Sequence, residues 1–151
     1  MGNQALNSGG LDNMANALYD FGRAAFLNGQ IGWNNNTIKC SLLSNAYTPT
    51  VATEEHMSQV DAYTFTGTTD QTIGTKTIAA GVADGADITF TAVGASGSYN
   101  VKYLCIYEST GTNTNSHLIA LIDTATGLPV TPNGGSITVT WDNGANKIFK
   151  L

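Results

Sequence analysis

The chain has 151 residues, 42% apolar and only 11% charged, with a formal net charge of −5. That length suits one domain with a real core, and the low charge rules out the low-hydrophobicity, high-charge signature of a disordered chain. Acids outnumber bases and the six Lys and Arg form no cluster, so no nucleic-acid partner is expected.

No apolar run approaches the ~20 residues of a membrane span, so no membrane partner is expected either. Residues 1–13 read as an extended N-terminal arm: Gly, Asn, Gln and Ser surround two leucines, Leu6 and Leu11, and the first ten residues lack the basic and apolar regions of a secretory signal. Two leucines cannot offset the backbone entropy of a dozen residues, so the arm should order only against a partner surface, as a strand adds to a sheet edge. Residues 14–151 are then a single domain.

Residues 14–28 predict one helix. Leu18, Phe21, Gly22, Ala25, Phe26 and Leu27 fall on one stripe, Asp12 or Asn13 is the candidate N-cap, and Gly29 suits the position past the end. Asp20 and Arg23 are spaced to pair on the outer face. Gly22, Ala24 and Ala25 are small enough for another backbone to come close, and the helix is expected to pack on its own sheet.

A turn at Trp33-Asn34-Asn35-Asn36 leads into residues 37–43, where Ile38, Cys40 and Leu42 alternate with Lys39 and Ser41 as in a strand with one buried face. Thr53 is the expected cap of a helical stretch over 54–60, with Glu54 and Glu55 in its first turn. Tyr63, Phe65, Ile73 and Ile78, spaced among Thr and Gly, predict two short edge strands within 61–81.

Ile88, Phe90 and Ala92 alternate with Thr89 and Thr91. Residues 101–107 are apolar on nearly both faces and should lie centrally in a sheet. Residues 117–122 and 136–141 are further strands. Asp142-Asn143-Gly144 then predicts a tight hairpin into a last strand over 147–151, since Asn-Gly favours a two-residue turn with positive φ. The whole reads as mainly β: an antiparallel β-sandwich with one N-terminal α-helix and the extended arm.

Chemistry leaves little trace in this pattern. Cys40 and Cys105 lie far apart in alternating segments and read as buried free thiols. His56 and His117 are the only histidines, and no His stands four residues from another. His117 reads as a strand-end residue; His56, following two glutamates, is the weaker of two possible metal positions. The other is the loop 81–87, whose Asp84 and Asp87 lack the ligand spacing of a calcium loop and read as a turn. No nucleophile elbow or phosphate loop is present, and no carboxylate pair is assembled by spacing. No catalytic, cofactor or metal residue is assigned, and a chelator should leave the unfolding midpoint unchanged.

Several segments together resemble a family of small virion proteins of tailed bacteriophages. They are residues 14–29, Thr37-Ile38-Lys39-Cys40-Ser41-Leu42-Leu43, the late strand Cys105-Ile106-Tyr107-Glu108-Ser109-Thr110-Gly111, residues 118–130, and the Trp segment 136–144. The likeness spans residues 14–151, and residues 1–13 depart from its pattern. Its motifs are structural. The resemblance implies a non-enzymatic structural protein of the virion, assembled in the host cytoplasm. The role expected is capsid decoration (cement) protein, bound as a homotrimer to the major capsid protein lattice and stabilising the head. Two alternatives stand beside it: a tail, neck or fibre component of the same particle, and a carbohydrate- or receptor-binding module in which exposed Trp33, Tyr47 and Tyr63 stack on a sugar.

Overall fold

A computed structural model describes residues 16–65, 68–95 and 97–151. The arm expected over residues 1–13, the first two residues of the expected helix, and its proposed caps Asp12 and Asn13 lie outside the described residues.

In chain order the elements are β1 (Ala17–Leu18), α1 (Asp20–Leu27), β2 (Ile38–Ser44), 3₁₀ turns at Met57–Gln59 and Asp61–Tyr63, β3 (Gln71–Thr72), β4 (Thr77–Ala79), β5 (Val82–Asp84), β6 (Ile88–Phe90), β7 (Val101–Glu108), a 3₁₀ turn at Asn113–Asn115, β8 (Leu118–Ile122), β9 (Ile137–Val139) and β10 (Phe149–Lys150). Every strand pairing is antiparallel. A five-stranded sheet runs β1-β8-β7-β2-β3, a three-stranded sheet β10-β5-β4, and β6 pairs with β9. Among the described residues the protein is mainly β with one α-helix near the N-terminus, as its alternating segments lead one to expect.

The large sheet explains the rest. β7 lies at its centre, as its apolar sequence predicts, and β7, β2 and β8 are buried along nearly their whole length. Successive residues of a strand point to opposite faces, so burial of this kind needs a cover on each side. One face presents Ile38, Cys40, Leu42, Leu104, Ile106, Ala120 and Ile122. These share a core with Ala83, Ile88, Phe90, Ile137, Val139 and Phe149 of the smaller sheets and with Trp33 and Trp141, the two sides of a sandwich. The opposite face presents Leu43, Tyr103, Cys105, Tyr107 and Leu121. Tyr19, Tyr47, Met57 and Val60 cover it, three of them from the segment between β2 and β3.

Cys40 and Cys105 belong to these opposite faces and are free, as expected. Burial raises both thiols well above the ordinary thiol value, which keeps them protonated and chemically inert.

Three expectations require correction. The helix is shorter than the periodicity of residues 14–28 indicates and begins at Asp20. Residues upstream of it are recruited by β8 instead: Ala17 pairs with Leu121 and Leu18 with Ala120. Asn16, at φ 37, fixes this register. Its Oδ1 accepts from the backbone N–H groups of Asp123 and Thr124 and from the Thr124 hydroxyl, while its own N–H donates to Asp123 Oδ1. Of the expected stripe, Gly22 and Ala25 are buried and Phe26 packs on Phe149, whereas Phe21 and Leu27 face outward. The Asp20–Arg23 pair and the left-handed Gly29 stand as expected.

The expected helix over 54–60 is a pair of 3₁₀ turns beginning only at Met57. Glu54 does not line a helix N-terminus. It is buried and accepts from the Tyr47 hydroxyl and, at 3.0 Å, from the Thr50 N–H.

The Asn143-Gly144 hairpin does not form. β9 pairs with β6, and β10 pairs with β5. Neither Asn143 nor Gly144 takes positive φ; the Gly144 N–H donates to Asp142 Oδ1 at 3.0 Å, and the left-handed residue is Lys147. Burial of Ile148 and Phe149, the latter edge-on to Trp33 at 5.1 Å, outweighs the local turn preference. The tight hairpin lies instead between β4 and β5, where Ala79 pairs with Val82 and the intervening Ala80 and Gly81 both have positive φ, as a type I′ turn requires.

Two stability predictions follow from these contacts. Gly22 lets α1 lie directly on β8: an added Cβ would sit 2.3 Å from the Leu118 carbonyl oxygen. Gly22→Ala should therefore cost about 1–3 kcal/mol in denaturant unfolding, although Ala is the better helix former. In the same assay Gly81→Val, at φ +79, should cost at least about 1 kcal/mol, while Gly144→Val should stay within about 0.5 kcal/mol.

Candidate metal centre

The cover over the second face of the large sheet brings the two histidines together. Met57 N–H donates to the Ser116 carbonyl at 2.8 Å, and Leu118 N–H donates to the Glu55 carbonyl at 2.8 Å. These bonds flank an antiparallel bridge between His56 and His117. A pair flanked in this way is the non-hydrogen-bonded kind, whose Cα atoms approach most closely and whose side chains lie side by side. The imidazole centroids are accordingly 4.9 Å apart. Gln59 secures the backbone at this point, its Oε1 accepting from the N–H of Glu55 at 2.6 Å and of His56 at 2.9 Å.

Two glutamates complete the cluster. Glu55 Oε1 lies 3.8 Å from His56 Nε2, and one ligand atom from each of Glu55, His56 and His117 falls within 4.8 Å of the others. Behind His117, Glu108 at the end of β7 places Oε2 3.1 Å from His117 Nδ1. The Glu108 side chain is 6% exposed and also accepts from Asn36 Nδ2. With the Glu108 carboxylate accepting, Nδ1 is the donor, and a neutral imidazole in that tautomer leaves its Nε2 lone pair for another partner. From the sequence, His117 reads as a strand-end residue and His56, following Glu54 and Glu55, as the weaker of two possible metal positions. The signal in the sequence was the Glu54-Glu55-His56 run; the addition of His117 to it was not legible, because the two segments are brought together by tertiary packing.

The other positions weighed from the sequence are occupied differently. In the loop 81–87, Asp84 Oδ1 accepts from Gly85 N–H and Asp84 Oδ2 pairs with Lys147 at 3.5 Å, while Asp87 Oδ1 accepts from Trp141 N–H at 2.9 Å. Both acids hold loops together, in keeping with a turn. The expected sugar-stacking platform is corrected: Trp33 and Tyr47 are 2% and 3% exposed, inside the two cores, and of the three only Tyr63 reaches the surface. Tyr63 lines an open groove of about 270 Å³ with Tyr99, Phe65 and Ser44.

Two separate sets of tyrosine hydroxyl bonds accompany the second core. Tyr19 and Tyr47 share a hydrogen bond of 3.1 Å, Tyr47 donates onward to Glu54, and Tyr107 donates to Asp70 Oδ2 at 2.6 Å. Burial, reinforced by the bonds to Glu54 and Asp70, pushes the Tyr47 and Tyr107 phenols well above their ordinary value of 10.0; burial does the same for Tyr19.

No protein-family model, curated protein or solved structure matches this chain.

The buried phenols set a pH prediction. Their values in the folded state are raised, so the native state keeps protons that the unfolded state loses. Stability is fully present below pH 10.0 and declines as pH rises past it. Each such tyrosine adds a slope that grows through pH 10.0 toward a limit of about 1.4 kcal/mol per pH unit. Urea unfolding from pH 8 to 11 should show this decline, and Tyr107→Phe should make it shallower.

Proposed function

We propose that this chain is a non-enzymatic structural protein of a bacteriophage virion, a capsid decoration protein that binds the major capsid protein lattice as a homotrimer. The observation that carries this reading is the outer edge of β4. Among the described residues no strand pairs with that edge, all three β4 residues are exposed, and Ile78 is 53% exposed. An unpaired edge with an exposed apolar side chain is a ready surface for strand addition. The outward Phe21 and Leu27 of α1, the latter 89% exposed, add apolar contact area elsewhere on the surface. Support also comes from the likeness of residues 14–151 to small virion proteins. A lattice protein needs only modest contacts of this sort, because many copies and a high effective concentration multiply them.

The test is occupancy on particles that lack this protein. Purified chain should add back in hundreds of copies per particle, visible by electron microscopy; about a dozen or fewer would place it in the tail, neck or fibre instead. Ile78→Asp should leave the unfolding free energy within about 0.5 kcal/mol of the parent and reduce occupancy. Full occupancy by this variant would remove β4 from the contact. Binding of the isolated chain to glycans would favour a receptor-binding module.

A further inference from the structure

We propose that Glu55, His56 and His117 form a binding site for one divalent transition-metal ion of the zinc class, with Glu108 as the positioning residue behind His117. This inference is independent of the virion reading, since it concerns only groups within one chain.

Two imidazoles and one carboxylate make up a ligand set that borderline cations take readily, and the donors are of the right kind for Zn²⁺ rather than Ca²⁺ or Mg²⁺. The histidines are held by backbone on both sides. His56 sits between Glu55 and Met57, each bonded to the strand opposite, and His117 precedes fully buried Leu118. The third ligand is the adaptable one, Glu55, whose side chain is 41% exposed. The ligand atoms now lie within 4.8 Å of each other. Ligands about 2.0 Å from a tetrahedral ion stand about 3.3 Å apart, so a shift on the order of 1 Å by the Glu55 carboxylate and a small turn of the His56 ring close the site.

Glu108 supplies what a bare pair of histidines lacks. Its carboxylate accepts a hydrogen bond from His117 Nδ1–H, which favours the tautomer with Nε2 free for the ion and raises that nitrogen's basicity. Glu108 is itself held by Asn36 and largely shielded from water, so its hold on the ring is persistent. Three protein ligands leave a fourth position for water.

The ion would fasten the 54–63 cover to the start of β8 and thereby close the second face of the large sheet. The apolar cores assemble without it, so chelated protein should remain folded, but with a lower midpoint than the loaded form in place of the unchanged midpoint expected from the sequence.

The experiment titrates Zn²⁺ into the full chain, followed by calorimetry, with Co²⁺ as a spectroscopic probe. Binding at about one ion per chain with Kd below about 0.1 mM is expected, together with the intense visible bands of four-coordinate Co²⁺. A hundredfold excess of free Zn²⁺ over Kd should raise the unfolding midpoint by about 5–10 °C. His56→Ala and His117→Ala should abolish the bands, and Glu108→Gln should weaken binding by about 10- to 100-fold. Glu55→Gln, at an exposed side chain, provides a variant that folds whatever the histidine changes do, and it should bind at least about tenfold more weakly. Asp87→Asn is the control that leaves affinity unchanged. Equal affinity in Glu55→Gln and the parent, octahedral Co²⁺ only, or no binding up to about 1 mM would overturn the proposal.

Discussion

The constraint on which this structure turns is that β2, β7 and β8 are apolar on both faces. An antiparallel sheet ordinarily turns one face to the core and the other to water. Here Leu43, Tyr103, Cys105, Tyr107 and Leu121 make the second face as apolar as the first. The first face is closed by the two small sheets. The second is closed by chain that is scarcely regular at all, chiefly the 47–63 segment with its paired 3₁₀ turns. Without that cover a row of aromatic and aliphatic side chains would meet water.

The cover has polar consequences. Laying irregular backbone over an apolar face brings in groups that need partners, and the structure provides them side chain by side chain. Glu54 turns inward to Tyr47 and Thr50, Gln59 caps the Glu55 and His56 amides, and the strand opposite takes the Glu55 carbonyl and the Met57 amide. The His56–His117 contact is a product of the same stitching. The site where metal-binding chemistry is concentrated is therefore where the sheet's second face is sealed, and the two share a physical origin.

A similar competition sets the chain's two ends. Residues 17 and 18 have a helical pattern, yet β8 had an open edge and Asn16 could satisfy the turn beyond it, so they extend the sheet. The last strand has a local hairpin signal, yet Ile148 and Phe149 fill the space beside Trp33 and Phe26, so β10 joins β5. At the first end strand pairing and the Asn16 hydrogen bonds outweigh the helical pattern of half-buried Ala17 and Leu18. At the second, burial of Ile148 and Phe149, each contributing about 1.5–3 kcal/mol, outweighs a local turn preference on the order of 1 kcal/mol.

The sequence alone determined the class and most of the strands. Two-residue alternation located β2, β6 and β9, continuous apolar runs located β7 and β8, and double-sided apolarity put β7 at the centre of its sheet, because these signals depend only on which side chains avoid water. Burial of Cys40 and Cys105 was legible for the same reason. Tertiary structure decided what depends on partners distant in the chain: where α1 starts, which strand accepts β10, that Trp33 and Tyr47 are interior, and that His56 meets His117. Periodicity reports the face a residue prefers, and it contains nothing about which distant segment will cover that face. The metal-type cluster arises from one antiparallel bridge between two loop ends. No spacing rule encodes that bridge, since its register is set by the packing of the cover as a whole.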